Sequence, residues 1–253
     1  MKRPLFVANW KMNHTIGETI AYLTVLLHEA KAVGNTDVVL APPFTALSSL
    51  GIALSENNSE FQLAGQNLCW EDSGAFTGEI SGAFLAEVGC RYVIIGHSER
   101  RKIFGETDAM IGKKIEASIR HHLTPILCVG ETLPEREAGK AWDTVENQLR
   151  GALREIPLAK LKGFVVAYEP VWAIGTGKNA TPAEAKDMHG LIHQWIASVH
   201  GGEVADITRL LYGGSVTPGN SRELLRQPHI DGALVGGASL DARKFTEIIR
   251  SVP

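Results

Sequence analysis

Long apolar runs are missing from this 253-residue chain, and none approaches the roughly 20 consecutive apolar residues that a membrane-spanning helix needs. Lys2 and Arg3 are followed by only Leu5, Phe6, Val7 and Ala8 before Asn9, too short a core for a secretion signal. Cysteine is scarce. Cys69, Cys90 and Cys128 are odd in number and far apart, with no Cys-x-x-Cys, which argues against a disulfide framework or a zinc site. A reducing, cytoplasmic setting is the expectation. Excess charge is absent too: 25 basic against 28 acidic residues leave a net −3, so neither nucleic acid nor an acidic membrane is expected as a partner. No Pro/Ser-rich linker or charge block marks a boundary, so residues 1–253 are expected to form one domain.

What is present is a recurrence. Eight short apolar segments lie at 5–10, 38–42, 62–67, 92–97, 125–130, 164–169, 209–215 and 233–237. Most are continuous rather than alternating, as in strands buried on both faces of a parallel sheet. Helical patterning separates them; over 16–33, Ile20, Leu23, Leu27 and Ala30 share one face. Thr15…Glu18, Thr132…Glu135 and Thr181…Glu184 match the capping box, and Thr217-Pro218 marks another helix start. Eight strand–helix alternations in this length predict a (β/α)8 TIM barrel, class α/β. A doubly wound open sheet is the rival, but it uses fewer strands. The wide spacing on either side of the sixth strand predicts extra helical turns or longer loops there.

Polar residues cluster where the segments end: Asn9 and Lys11 at the first, His97 at the fourth, Glu169 at the sixth, Ser215 at the seventh, Gly236 and Gly237 at the eighth. In a parallel barrel these ends meet at one rim, where barrel enzymes carry their active sites. Lys11 offers a fixed positive charge for an anion, or is merely a surface lysine. His97 precedes Ser98, read as an N-cap, and a helix N-terminus behind the ring would keep the imidazole neutral. Glu169 is followed by Pro170 and an apolar stretch, Val171, Trp172, Ala173 and Ile174, unusual for a surface loop. A carboxylate under an apolar flap suggests a base that works once water is excluded.

Several motifs fail on inspection. Gly96-His97-Ser98-Glu99-Arg100 lacks the second glycine of a nucleophile elbow. Gly175-Thr176-Gly177-Lys178-Asn179-Ala180 matches the dinucleotide fingerprint only formally, because it starts six positions after Glu169, and no Ser or Thr follows Lys178 as a P-loop requires. His189 and His193 lie four apart without a His-Glu-x-x-His motif and read as a solvated helical face, so no metal is expected. Gly175, the Gly213-Gly214-Ser215 turn and the Gly236-Gly237 pair instead suit a phosphate held by main-chain N–H groups.

Six motifs in order, Asn9-Trp10-Lys11-Met12-Asn13, 74–81, 95–101, 167–178, 212–215 and 235–238, resemble the triosephosphate isomerase family across the whole chain. The resemblance implies cofactor-free interconversion of dihydroxyacetone phosphate and glyceraldehyde 3-phosphate. Glu169 would be the base, His97 the neutral electrophile, and Lys11 with Asn9 would steady the enediolate. Gly175, Ser215, Gly236 and Gly237 would hold the phosphate. The lid would comprise Pro170, Val171, Trp172, Ala173, Ile174, Thr176, Gly177 and Lys178. The resemblance also implies a homodimer in which a third loop, 68–79, plugs the neighbour, with Thr77 reaching Lys11 and Glu99 supporting the charge network around Lys11. Gly82-Ala83-Phe84 departs from the pattern, which includes a methionine there. The alternatives are a barrel that binds a sugar phosphate without turnover or acts as a scaffold, and an isomerase of larger phosphorylated sugars. The bulky apolar flap favours a small substrate.

Overall fold

The computed structural model describes residues 2–29, 34–154, 156, 163–174 and 180–252. Among them eight parallel strands close into a barrel in chain order. These are β1 Leu5–Asn9, β2 Asp37–Ala41, β3 Gln62–Gly65, β4 Cys90–Ile95, β5 Thr124–Val129, β6 Val165–Tyr168, β7 Arg209–Tyr212 and β8 Gly232–Val235. Leu5 pairs with Asp37 on one side and Gly232 on the other, which closes the ring.

The strands read as continuous apolar runs because both faces are buried. Leu5, Val7, Val39, Ala41, Ile94, Ile126, Val165, Ala167, Leu211 and Leu234 fill the barrel interior. Their neighbours Phe6, Ala8, Val38, Leu40, Val93, Ile95, Val166 and Leu210 pack outward against the helices. One residue of slip would exchange the two sets.

Helices cover the outside. As the spacing predicts, two α-helices among the described residues follow β5 (Leu133–Glu137, Ala141–Leu153) and two follow β6 (Pro182–His200, Gly202–Ile207). The capping boxes form: the main-chain N–H groups of Thr15, Thr132 and Thr181 donate to Glu18, Glu135 and Glu184 at 2.8, 2.7 and 2.8 Å. Thr217 begins the Pro218–Leu225 helix, with Asn220 in the glutamate's place at 2.8 Å.

The first helix, Ile16–Glu29, corrects the expected face. Thr19, Tyr22, Leu23 and Leu26 are buried while Ile20 is exposed. Tyr22 sets this rotation by packing edge-on against Trp10, with ring centroids 4.7 Å apart. Ala30 lies outside the described residues.

The floor of the barrel is polar. Arg209 on β7 reaches Asp37 on β2 at 2.6 Å and the Tyr92 hydroxyl on β4 at 2.8 Å, and Arg3 lies 3.2 Å from Asp37. Cys69, Cys90 and Cys128 are free and buried. No described helix is long and apolar enough to cross a membrane.

The histidine pair is the second correction. His189 is fully buried, its ring edge-on to Tyr168 at 5.8 Å, and its Nδ1 meets the His229 carbonyl at 3.0 Å. The helix has turned this polar residue inward: one carbonyl satisfies Nδ1, while Nε2 is buried with no hydrogen-bond partner among the described residues. His193 is half-buried, 3.5 Å from Asp206. Among the described residues no cluster of three or more His, Cys, Asp or Glu could hold a metal.

Burial holds the His189 pKa down at about 4, against some support from the His229 carbonyl. The unfolded chain therefore binds a proton that the native state refuses between pH 6.5 and 4, so stability falls as pH drops through that window. The contribution is roughly 3 kcal/mol. In His189→Gln, urea unfolding followed from pH 7 to 4 is expected to show a flatter loss of stability than wild type; an identical pH slope would contradict this origin.

Candidate active site

Most of the candidate residues lie just past the strand ladders. Lys11, His97, Glu169, Ser215, Gly236 and Gly237 all lie one to three positions beyond a strand end, and Asn9 is the last residue of β1. There the chain is free to turn, and the side chains converge on one cavity of about 340 Å³. All seven line it, together with Trp10, Asn13, Ile174, Gly213, Gly214 and Thr217.

Glu169 is 2% exposed, and its two oxygens are held separately. Oε2 accepts from the Ser98 N–H at 2.9 Å, and Oε1 lies 2.9 Å from His97 Nε2. Burial alone would raise its pKa, but His97 and the Ser98 amide hold it below the usual carboxylate value. The thiol of Cys128, buried behind it, is pushed well above its ordinary value, first by burial and then by the Glu169 charge.

The cap of the Ser98–Phe104 helix differs from the sequence expectation. His97, not Ser98, is the N-cap: its Nδ1 accepts the Glu99 N–H at 3.2 Å. Ser98 becomes the first helical residue, which leaves its own N–H for Glu169. An Nδ1 that accepts leaves the proton on Nε2, facing Glu169. Burial favours the neutral ring, yet the adjoining Glu169 carboxylate outweighs it and raises the His97 pKa.

Lys11 has a left-handed backbone, with φ of 52°. Two contacts hold that strained turn: its N–H donates to Asn9 Oδ1 at 3.1 Å, and its carbonyl accepts from Gln66 at 2.8 Å. Its ammonium lies 2.7 Å from Glu99. A Cβ on Gly236 would stand 3.4 Å from Lys11 Cε, an ordinary contact that places the Gly236 turn beside the lysine side chain. An anion between Lys11, Ser215 and the Gly236-Gly237 turn would meet a cation and main-chain donors together.

The chain matches the triosephosphate isomerase family profile over residues 4–252. It is 49% identical to the triosephosphate isomerase of Chloroflexus aurantiacus, covering 98% of this chain and 99% of that protein. With that of Moorella thermoacetica it shares 50%, over 98% of each chain. This chain belongs to the triosephosphate isomerase family. A crystal structure of triosephosphate isomerase from Bartonella henselae superposes with a TM-score of 0.88 at 41% identity, covering 99% of each chain.

Of the candidate site residues, Gly175, Thr176, Gly177 and Lys178 lie outside the described residues. Pro170 precedes a tight turn at Val171–Ala173, and Ile174 lines the cavity. Thr77 sits in an exposed turn and does not line the cavity of its own chain.

Sequence reasoning missed Glu131. It is fully buried just beyond β5 and accepts from the Tyr168 hydroxyl at 3.1 Å and from Trp172 Nε1 at 2.8 Å. The rule that found the other rim residues, a polar residue past a strand end, would have found it too. Gly130 and Gly213 also gain a reason: a Cβ would lie 1.7 Å from the Glu169 carbonyl oxygen at the first and 2.9 Å from Glu169 Cγ at the second.

If Glu169 is the main anion that lifts His97, Glu169→Gln leaves burial and the Glu99 amide, which favour the neutral form, opposed only by the weaker pull of the Glu99 carboxylate at 3.5 Å. In ¹H–¹⁵N titrations His97 is expected to protonate at lower pH in that variant than in wild type. An equal or higher titration point would show that the lifting charge lies elsewhere.

Proposed function

We infer that this site interconverts dihydroxyacetone phosphate and D-glyceraldehyde 3-phosphate by proton transfer through an enediolate, a step shared by glycolysis and gluconeogenesis. The observation that carries the reading is the buried pair of Glu169 and His97, with the His97 Nε2 proton facing the carboxylate at 2.9 Å. Glu169 takes a proton from the hydroxymethyl carbon of the ketone, and the electron pair moves onto the carbonyl oxygen. The Nε2–H of His97 donates to that oxygen, and the ring recovers its proton from the neighbouring hydroxyl. Glu169 then returns its proton to the adjacent carbon, which yields the aldehyde.

Leaving the Ser98 amide and His97 removes the two contacts that weaken Glu169 as a base. Burial, which acts in the opposite sense, remains. The same departure frees His97 of the stronger of the two anions that raise its pKa, so the ring acts as a neutral donor. Lys11 and Asn9 face the developing oxyanion. Ser215, Gly236 and Gly237, with Gly175 from outside the described residues, are assigned to the phosphate. The apolar lid, from Pro170 through Val171, Trp172, Ala173 and Ile174 to Thr176, Gly177 and Lys178, is assigned to exclude water, because an exposed enediolate sheds its phosphate.

The working unit in this reading is a homodimer in the cytoplasm. A recess of about 220 Å³ beside the cavity is lined by Lys11, Met12, Glu99 and Phe104, among others. Met12 is 94% exposed, Phe104 64%, Phe84 54% and Phe76 44%. Met12 and Phe104 give this recess an exposed apolar lining that calls for cover, and the Thr77 loop of a second copy suits the recess. Free, buried cysteines fit a reducing compartment.

Glu169→Gln is expected to lower kcat/KM on glyceraldehyde 3-phosphate by about 10²–10⁴-fold with an unchanged circular dichroism spectrum; near wild-type turnover would refute the assigned base. Turnover in excess chelator is expected to match the untreated enzyme, and reversible collapse would point to a metal. Sedimentation should give a two-chain mass for wild type and a one-chain mass for Phe76→Glu, with activity falling alongside; an active wild-type monomer would count against the dimer.

A further inference from the structure

Arg136 touches no part of the cavity, yet it sits against the turn that carries the base. It belongs to the short Leu133–Glu137 helix after β5. One guanidinium nitrogen lies 3.2 Å from the fully buried Glu131, another pairs with Glu184, and the guanidinium carbon stands 4.7 Å above the Trp172 ring. Glu131 holds the same tryptophan through Nε1 at 2.8 Å. The other oxygen of Glu184 closes the capping box of the Pro182–His200 helix through Thr181. Arg136 thus spans from Trp172 to the helix that begins eight residues after Ile174.

The link from Trp172 back to Glu169 is stiff. Pro170 fixes one torsion, the Ala173 N–H donates to the Pro170 carbonyl at 2.8 Å, and the Val171 N–H donates to the Glu131 carbonyl at 3.1 Å. A displacement of the Trp172 main chain is therefore passed to the main chain next to Glu169. In this arrangement Glu169 rests on Ser98 and His97, and it must leave both to reach a substrate carbon.

We propose that Arg136 is a positioning residue: by stacking on Trp172 and bridging Glu131 to Glu184, it holds Glu169 in its resting place and so opposes its move onto substrate. This rests on Glu169 being the base.

The sign is distinctive. A contact that opposes the working position lowers affinity for whatever requires that position, so its removal tightens binding. The probe is 2-phosphoglycolate, a two-carbon phosphate whose carboxylate mimics the enediolate. By calorimetry Arg136→Leu is expected to bind it about three- to tenfold more tightly than wild type, and KM for glyceraldehyde 3-phosphate is expected to fall while kcat does not rise. A purely structural defect would weaken binding instead. Unchanged or weaker binding overturns the proposal. So does a gain of the same size in a Trp172→Leu background, since Arg136 would then act by another route. If Arg136→Leu does not fold, Arg136→Lys decides, because it keeps the charge beside Glu131 and Glu184 but loses the planar stack. Tighter binding supports the proposal and unchanged or weaker binding refutes it. Wild-type turnover on triose phosphates is measured separately; its absence would sink the isomerase reading, whereas the calorimetric comparison bears on Arg136 alone.

Discussion

A carboxylate almost wholly removed from water is the constraint around which the rim of this barrel is built. An unpaired buried charge costs several kcal/mol or neutralises. Glu169 escapes both because one strand-to-helix turn offers it two donors, the Ser98 amide and His97 Nε2. That turn can serve Glu169 only because His97 takes over the capping of its own helix. The neighbouring strands also make room: β5 and β7 are each followed by a glycine where any side chain would collide with Glu169. The charge, its donors and its clearance therefore come from four different stretches of sequence. They have meaning only once the sheet is closed.

The barrel was legible because its signal is redundant. Eight apolar segments buried on both faces leave few other architectures, and an error of one to three residues at a strand end changes nothing in the topology. The site was legible for a related reason: polar residues at the ends of apolar runs stand out, and a parallel barrel gathers all such ends at one rim. Glu131 obeys the same logic, but as a single acid beside a capping threonine it is overshadowed by the capping box that follows. Arg136, a charged residue in a short helix, looks like any solvated arginine until the Trp172 ring is seen beneath it.

The misreadings have a common cause. Helical periodicity tells which residues share a face but not how that face is rotated, and one large ring can decide the rotation, as Tyr22 does against Trp10. Polarity alone points His189 outward, yet it turns inward with one ring nitrogen met by a carbonyl at 3.0 Å and the other left without a partner among the described residues. Ser98 was the obvious cap by residue type, and geometry gave the role to the neighbouring imidazole. In each case a tertiary partner overrode a local preference.

The polar floor bears on how the molecule assembles. Arg209 is separated by 172 residues from Asp37 and by 117 from Tyr92, so neither partner can reach it through local structure. Until strands from the first, middle and last thirds of the chain are together, this guanidinium has no reason to leave water. A partial barrel missing any one of them would have to leave one of these partners unmatched or keep its lower end open. The floor thus discriminates against incomplete sheets, tying late strands to early ones and favouring an all-or-none closure. It works at the opposite end from the candidate site, which leaves the upper rim free to rearrange without unsealing the ring.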